Sequence, residues 1–561
     1  MTSLEVQVRE LFASVEQTLR RAMEALHARA FFAHYPESLK AYPEEAAAAG
    51  KERFEAQLSQ PFALPQASDA WLAAEEASPY TAQPLGISYP AFQDPQRYVD
   101  HALAAAPAWR KASPAARAAL LMDALERLRG DFFELAHATM HTTGQTFVMA
   151  FQASGPHASD RALETLALGL HELERFPAQQ IEWVKPMGKF DIRMEKHFRA
   201  VPRGIGLCIG VSTFPVWNTL PGVFADLITG NPVIVKPHPR AIYPLALAVR
   251  ALQASFAAYG FDPATAQLAP DTAAAPITTF LAQHPEVKLI DFTGGNVYGD
   301  FIEGLPGKIT FTEKSGVNSV ILDSVSDLGA AMSNLAFSVS MYSGQMCTCP
   351  QNFFIPRGGI LAGGEHKSYE EVVQAFTEAV KGIATNPKMA AGVLGAIQSE
   401  ATLDRALQAR HLPGRLLLDS LEVSNPDFPQ ARMATPIVME IQPDQQEVFS
   451  RELFGPVVLI VPVEDTKQGL ALAQALAREK GAISCSAYST DPEVRASIEE
   501  AMAESATSVS FNFTGSFWVN QNAGFSDFHV SGGNPSGNAS LTDPAFINRR
   551  FTWVGSRTFI P

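Results

Sequence analysis

Two of the four cysteines in this 561-residue chain fall inside one short stretch, SGQMCTCP, at Cys347 and Cys349. Four chemistries could use them: a metal site, a disulfide, a nucleophile, or inert packing. Zinc wants about four ligands, usually CxxC with a second Cys or His pair. No second pair accompanies Cys347 and Cys349, so no metal is expected. A disulfide across a single residue would be strained, and so few cysteines in so long a chain give no disulfide framework. Free cysteine is among the most buried residue types, the reading taken for Cys208 in GLCIG, Cys349, and Cys485 in ISCSA. Cys347 is set apart by the motifs that surround it, and it is the candidate nucleophile.

The elements that must present such a residue read as α/β. GIGLCIGV, PGVFADLIT, NPVIVKP, YPLALAVRALQASFAAYG and VKLIDFTG alternate β-rich runs with helical ones. That rhythm is the βαβ signature of a parallel sheet covered on both faces, which binds ligands at its strand C-termini. It returns in SVILD, ending at Asp323, in PVVLIVPV and in AISCSAYS, so two α/β domains in succession are expected. Upstream, AARAALLMDALERLRGDFFELAHATMHTTG keeps helical periodicity and stops at Gly. Leu4, Val8, Leu11, Val15, Leu19, Met23 and Leu26 recur at helical spacing, which predicts an amphipathic N-terminal helix. Between these regions, SQPFALPQASD and TAQPLGISYPAF read as an irregular connector.

Length allows roughly two to four domains. With 47% hydrophobic and 18% charged residues the chain has the composition of a folded protein. A formal charge of -15 without a basic run speaks against nucleic acid and anionic membranes, leaving small molecules as partners. The N-terminus carries acidic residues and no apolar core, so it does not read as a signal peptide. No uncharged apolar run reaches the ~18 residues a membrane span needs. Together with the few cysteines these features point to a cytoplasmic protein.

In order along the chain, GIGLCIGVSTFP, GNPVIVKPHP, DFTGG, FTEKSG, SGQMCTCP and ELFGPVV resemble the aldehyde dehydrogenase superfamily over roughly residues 100 to 561. The KPHP variant and the ending HVSGGNPSGNASLTD are most similar to the PaaN-type enzymes of phenylacetate degradation. The resemblance implies an aldehyde dehydrogenase-like α/β fold: two Rossmann-like parallel-sheet domains, a small oligomerisation sheet and an N-terminal helical extension. Its boundaries would be 1–98 for the extension, 99–182 and 201–312 for the NAD(P)-binding domain, and 313–530 for the catalytic domain. Residues 183–200 and 549–561, the latter alternating in RRFTWVGSRTFIP, would be oligomerisation strands of a dimer or tetramer.

The implied chemistry is oxidation of an aldehyde to a carboxylic acid. Cys347 attacks the carbonyl, the adduct loses hydride to nicotinamide, and the resulting thioester must be cleared. The implied oxyanion donors are the Cys347 backbone N–H and a side chain at VSTFP. Glu313 would be the general base, a partly desolvated glutamate with a raised pKa; read alone, it could be a solvated charge beside Lys314. Glu452 in RELFGP would hold the nicotinamide ribose and Lys236 the adenosine ribose. Gly294 and Gly295 would let backbone approach the pyrophosphate, with the helix starting near Val297 contributing its dipole. The glycines do not form a GxGxxG fingerprint and could be only a tight turn.

Two departures from the family carry information. Thr213 stands where hydrolytic relatives place an oxyanion-hole asparagine, as in CoA-acylating relatives, with Asn218 as another donor; those relatives usually lack the glutamate base that Glu313 supplies. Pro239 stands where NAD-preferring relatives place a ribose-gripping glutamate, which removes repulsion toward a 2′-phosphate that His238 or Arg240 could assist. NADP is therefore expected at least as readily as NAD. The rival readings are a CoA-acylating enzyme releasing acyl-CoA and a non-catalytic nucleotide-binding protein of the same fold. A CoA-linked semialdehyde is the substrate the subfamily resemblance implies.

Overall fold

The computed structural model describes residues 3–516 and 528–561. Its first large layer is a five-stranded parallel sheet whose strands come, edge to edge, from Ala266–Leu268, Val233–Lys236, Ile205–Ile209, Val287–Gly294 and Ile309–Lys314. Ile205, Leu207, Ile234, Leu289 and Ile290 are fully buried, as strands covered on both faces must be. Chain order reverses at Ile205–Ile209, which has the second strand on one side and the fourth on the other. At that point the carboxyl ends diverge and open a crevice.

The second layer is a seven-stranded sheet running Arg415–Leu418, Ile437–Glu440, Val457–Val463, Asn352–Pro356, Ser319–Leu322, Ser484–Tyr488 and Ser508–Phe511. All its pairings are parallel except the first. Ile181–Pro186, Asp191–Pro202 and Phe551–Ile560 form a separate antiparallel sheet that leaves Val184, Val554 and Phe559 exposed.

The N-terminal helix spans Ser3–Ala28, and its stripe ends in Leu19, Met23 and Leu26, which share one core with the helices Pro114–Arg129 and Ala158–Leu173. The extension is thus part of the main core. The expected irregular connector is partly ordered: Ala70–Ala73 pairs antiparallel with Ser88–Ala91, Trp71 opposite Pro90. A two-stranded ribbon tolerates Pro90 because its ladder is short and has free edges. Helix Phe132–Thr143 stops at Gly144, whose φ of 91° is the left-handed cap that glycine adopts most easily. Among the described residues no helix is long and apolar enough to cross a membrane.

Candidate active site

The CTC loop is built under constraint. Helix Leu328–Ser340 ends, and Tyr342, Ser343 and Gly344 follow with φ of 53°, 50° and 66°. Two non-glycine residues in that region cost about 1–3 kcal/mol each, so neighbours must fix them. The Tyr342 hydroxyl donates to the Thr143 carbonyl at 2.6 Å, and Ser343 Oγ donates to the carbonyls of Leu394 and Ala434. A Cβ on Gly344 would lie 2.5 Å from the Gly455 carbonyl oxygen. Past this turn, Asn318 clamps the loop: its amide donates to the carbonyls of Cys347 and Cys349 at 2.7 and 3.1 Å, and its oxygen accepts from the N–H groups of Ile483 and Ser484.

The two cysteines consequently face different spaces. Cys349 lines a gap of about 20 Å³, room for about one water, and burial pushes its thiol up to about 12. Cys347 lines a cavity of about 330 Å³ at the crevice between the strands Ile205–Ile209 and Val287–Gly294. Thr213, Gly294, Gly295, Glu313 and Glu452 line the same cavity. All four cysteines are free.

That cavity has room for a nucleotide's reactive end. A Cβ on Gly295 would meet nothing within 4 Å, so the backbone there is open to a ligand, and Gly295 is the N-cap of helix Asn296–Glu303. Glu452 accepts a hydrogen bond from Ser315, yet burial raises its carboxyl pKa. The residues expected on the adenosine side lie elsewhere. Lys236, at the end of its strand, is buried in an ion pair with Asp271 at 2.5 Å, and burial lowers its pKa. His238 is not a standing cation in the ligand-free protein. Burial, with Lys236 and Arg240, brings it down to about 4, and its Nδ1 accepts from the Arg240 N–H. Neither residue, nor Pro239, lines the cavity that holds Cys347.

Around the thiol the charge pattern departs from the sequence reading. Glu313, in strand Ile309–Lys314, accepts from Asn218 Nδ2 on Oε2 at 3.0 Å and meets His529 Nε2 through Oε1 at 3.2 Å. Burial pushes this carboxyl up, but His529, the Cys347 thiol and Arg161 overcome that and hold it below the ordinary glutamate value. The raised pKa expected for Glu313 is therefore reversed. Burial, Glu313 and Glu452 push the Cys347 thiol well above its usual range. Asn218 is thus engaged with the carboxylate.

His529 escaped the sequence reading. Its Nε2 lies 3.5 Å from Cys347 Sγ, and Trp217 packs edge-on against its ring at a 4.8 Å centroid separation. Arg161 in turn stacks over Trp217 at 3.7 Å. The segment carrying His529 is fastened to the Glu313 strand by Lys314 N–H to Ser536 O, Thr312 N–H to Asn538 Oδ1, and Asn538 N–H to Thr312 O. A Cβ on Gly537 would sit 2.4 Å from Thr312 O, so this close approach needs the glycine of PSGN. The only signal in the sequence is a histidine opening the glycine-rich run HVSGGNPSGN. Behind Glu313 a second, smaller cavity of about 60 Å³ is lined by Arg161, Asn218, Thr219 and His529.

A family model described as "Aldehyde dehydrogenase family" matches residues 69–539. A crystal structure of an NAD-dependent aldehyde dehydrogenase from Burkholderia multivorans is 43% identical, covers 98% of this chain and 99% of its own, and superposes with a TM-score of 0.94. The 2-aminomuconic semialdehyde dehydrogenase of Bos taurus is 24% identical over 389 residues, 66% of this chain and 73% of its own. A 1-pyrroline-5-carboxylate dehydrogenase of Bacillus subtilis is 24% identical over 391 residues, 67% of this chain and 70% of its own.

Proposed function

The chain belongs to the aldehyde dehydrogenase family, and from that premise we propose that it oxidises an aldehyde to a carboxylic acid with NAD or NADP through a covalent adduct on Cys347. What supports this reading is one observation: Cys347, Glu313, Thr213, Gly294, Gly295 and Glu452 line a single cavity at the sheet's switch point. Residues 99–182 and 201–312 are read as the cofactor domain, and 313–530 as the catalytic domain.

The Cys347 sulfur attacks the aldehyde carbon, and the carbonyl π pair moves to oxygen. The Cys347 backbone N–H and the Thr213 hydroxyl receive that oxyanion. Glu452, Gly294 and Gly295 would hold a nicotinamide cofactor, which would supply the hydride acceptor that the adduct carbon needs. A thioester remains on Cys347. Glu313 takes a proton from water, whose oxygen attacks the acyl carbon; the C–S bond breaks and the acid departs. Asn218 fixes Oε2 of Glu313, which leaves Oε1 facing His529. Glu452 would hold the cofactor's ribose hydroxyls.

Water rather than CoA clears the thioester in this reading, because a thiol acceptor scarcely needs a base, whereas water gains typically 10² to 10⁴ from one. The PaaN-like ending and a semialdehyde dehydrogenase among the relatives support a semialdehyde, CoA-linked in the phenylacetate-type case. Pro239 in place of a carboxylate supports NADP at least as well as NAD, with the exposed cation Arg240 next to it. Exposed Val184, Val554 and Phe559 on the antiparallel sheet support a homo-oligomer, and four free cysteines suit the reducing cytoplasm.

A panel of aldehydes assayed with NAD and NADP, with and without CoA, tests the proposal. Free acid is the expected product, with kcat/KM for NADP at least equal to that for NAD. Cys347→Ala abolishes turnover while Cys349→Ala keeps most of it. Full activity in the Cys347 variant, or acyl-CoA as the product, overturns the reading.

A further inference from the structure

The His529 ring stands between the nucleophile and the base, with the same atom facing both. Nε2 is 3.5 Å from Cys347 Sγ and 3.2 Å from Glu313 Oε1. An ionised carboxylate only accepts hydrogen bonds, so the Glu313 contact requires a proton on Nε2. A thiol hydrogen aimed at Nε2 would require the opposite, and the thiol's other partner is Glu313 itself, so the two candidate acceptors of its proton are the ring and that carboxylate. Both contacts are satisfied together once the thiol proton has moved onto the ring, leaving N–H shared between Oε1 and a thiolate.

The surroundings favour that arrangement. Among the described residues the charged and titratable groups facing the pair are Glu313 from its strand, Glu452 from the segment before Val457–Val463, and Arg161 from helix Ala158–Leu173. Two carboxylates against one guanidinium oppose a lone thiolate and favour a neighbouring cation. Trp217 holds the ring in place by its edge contact, and the bonds from Thr312 and Lys314 hold the segment that carries it.

We propose that His529 is the proton acceptor that generates the Cys347 thiolate, with Glu313 holding the imidazolium that results. The inference rests on the reading of Cys347 as nucleophile. The S–H bond breaks, an N–H bond forms at Nε2, and the electron pair stays on sulfur to attack the aldehyde carbon. When the thioester is hydrolysed, sulfur leaves as thiolate beside the imidazolium, ready for the next aldehyde, and the proton taken from water by Glu313 passes to solvent. His529 and Glu313 thus divide two proton transfers that a single carboxylate would otherwise have to perform.

The test needs neither aldehyde nor cofactor. Full-length enzyme carrying Cys349→Ala is alkylated with iodoacetamide across a pH series, and modification at Cys347 is followed by peptide mass. With His529 present, a reactive phase is expected below about pH 8.5, the ordinary cysteine value. His529→Gln should remove that phase, lowering the rate near pH 7 at least about tenfold while converging with the parent at high pH, where any thiol ionises. His529→Asn gives the same comparison with a smaller side chain should Gln not fit beside Trp217. Superimposable profiles, an equal fall at every pH, or loss of the phase in Glu313→Gln but not in the His529 variants overturns the proposal. So does a parent enzyme whose thiol ionises at or above about pH 8.5. Any of these leaves the aldehyde dehydrogenase reading standing, since that is decided by product formation and by Cys347→Ala.

Discussion

Glu313 is held by two different donors, Asn218 on Oε2 and His529 on Oε1, and its depressed pKa follows first from His529, with the Cys347 thiol and Arg161 adding to it. A base is present above its pKa and lost as pH falls through it. Hydrolysis of the acyl-enzyme is therefore expected to persist below about pH 4.3, the ordinary glutamate value, and single-turnover hydrolysis against pH measures it. In His529→Gln, burial is opposed less, and the acid limb should move upward. Glu313→Gln should release about one equivalent of NAD(P)H per site and then stall as acyl-enzyme. Continued hydrolysis at the wild-type rate in that variant would mean that another group activates the water.

The loop that carries Cys347 owes its shape to a residue outside it. Asn318 satisfies two carbonyls of the CTC loop and two N–H groups of the segment entering strand Ser484–Tyr488, using its amide fully. Asn318→Ala leaves those groups unpaired in a buried site, each worth about 1–3 kcal/mol if it stays unsatisfied. We expect a loss of roughly 2–4 kcal/mol in denaturant unfolding, less than the full sum because the loop relaxes. A fall in kcat larger than the fall in folded fraction should accompany it, since Cys347 loses its placement. An unchanged kcat would show that the left-handed turn at Tyr342–Gly344 alone positions the thiol.

Across the whole molecule, the C-terminal strand is locked to the five-stranded sheet by one buried arginine. Arg550 donates to Asp226 at 2.6 Å and to both oxygens of Asp291 at 2.6 and 2.7 Å, with its guanidinium 3.7 Å over the Phe311 ring. Its partners sit on helix Pro215–Ile228 and strand Val287–Gly294, so one side chain joins three elements. Arg550→Met strands the buried Asp226 and the partly buried Asp291 carboxylates and is expected to cost about 3–5 kcal/mol in equilibrium unfolding. A loss below about 1 kcal/mol would mean that the aspartates become protonated or solvated at little expense. The N-terminal helix is a second such tie, since Leu19, Met23 and Leu26 fill the main core.

The amino-acid sequence by itself determined the alternation of strands and helices, the N-terminal stripe whose second half, Leu19, Met23 and Leu26, is buried while Leu4 is exposed, and the motif residues Thr213, Gly294, Gly295, Glu313, Cys347 and Glu452 that gather at one crevice. Those properties are local: apolar spacing declares which face is buried, and a glycine or a polar residue at a strand end marks where the chain turns. It did not reveal His529, which meets Cys347 across 182 positions and Glu313 across 216. Nor did it give the closure of Lys236 onto Asp271 or the ribbon between Ala70–Ala73 and Ser88–Ala91. The direction of the Glu313 shift depended on the same contacts. Whether burial or a neighbouring charge governs a carboxyl is decided by distances of a few ångströms through space, and those exist only once the sheets have packed.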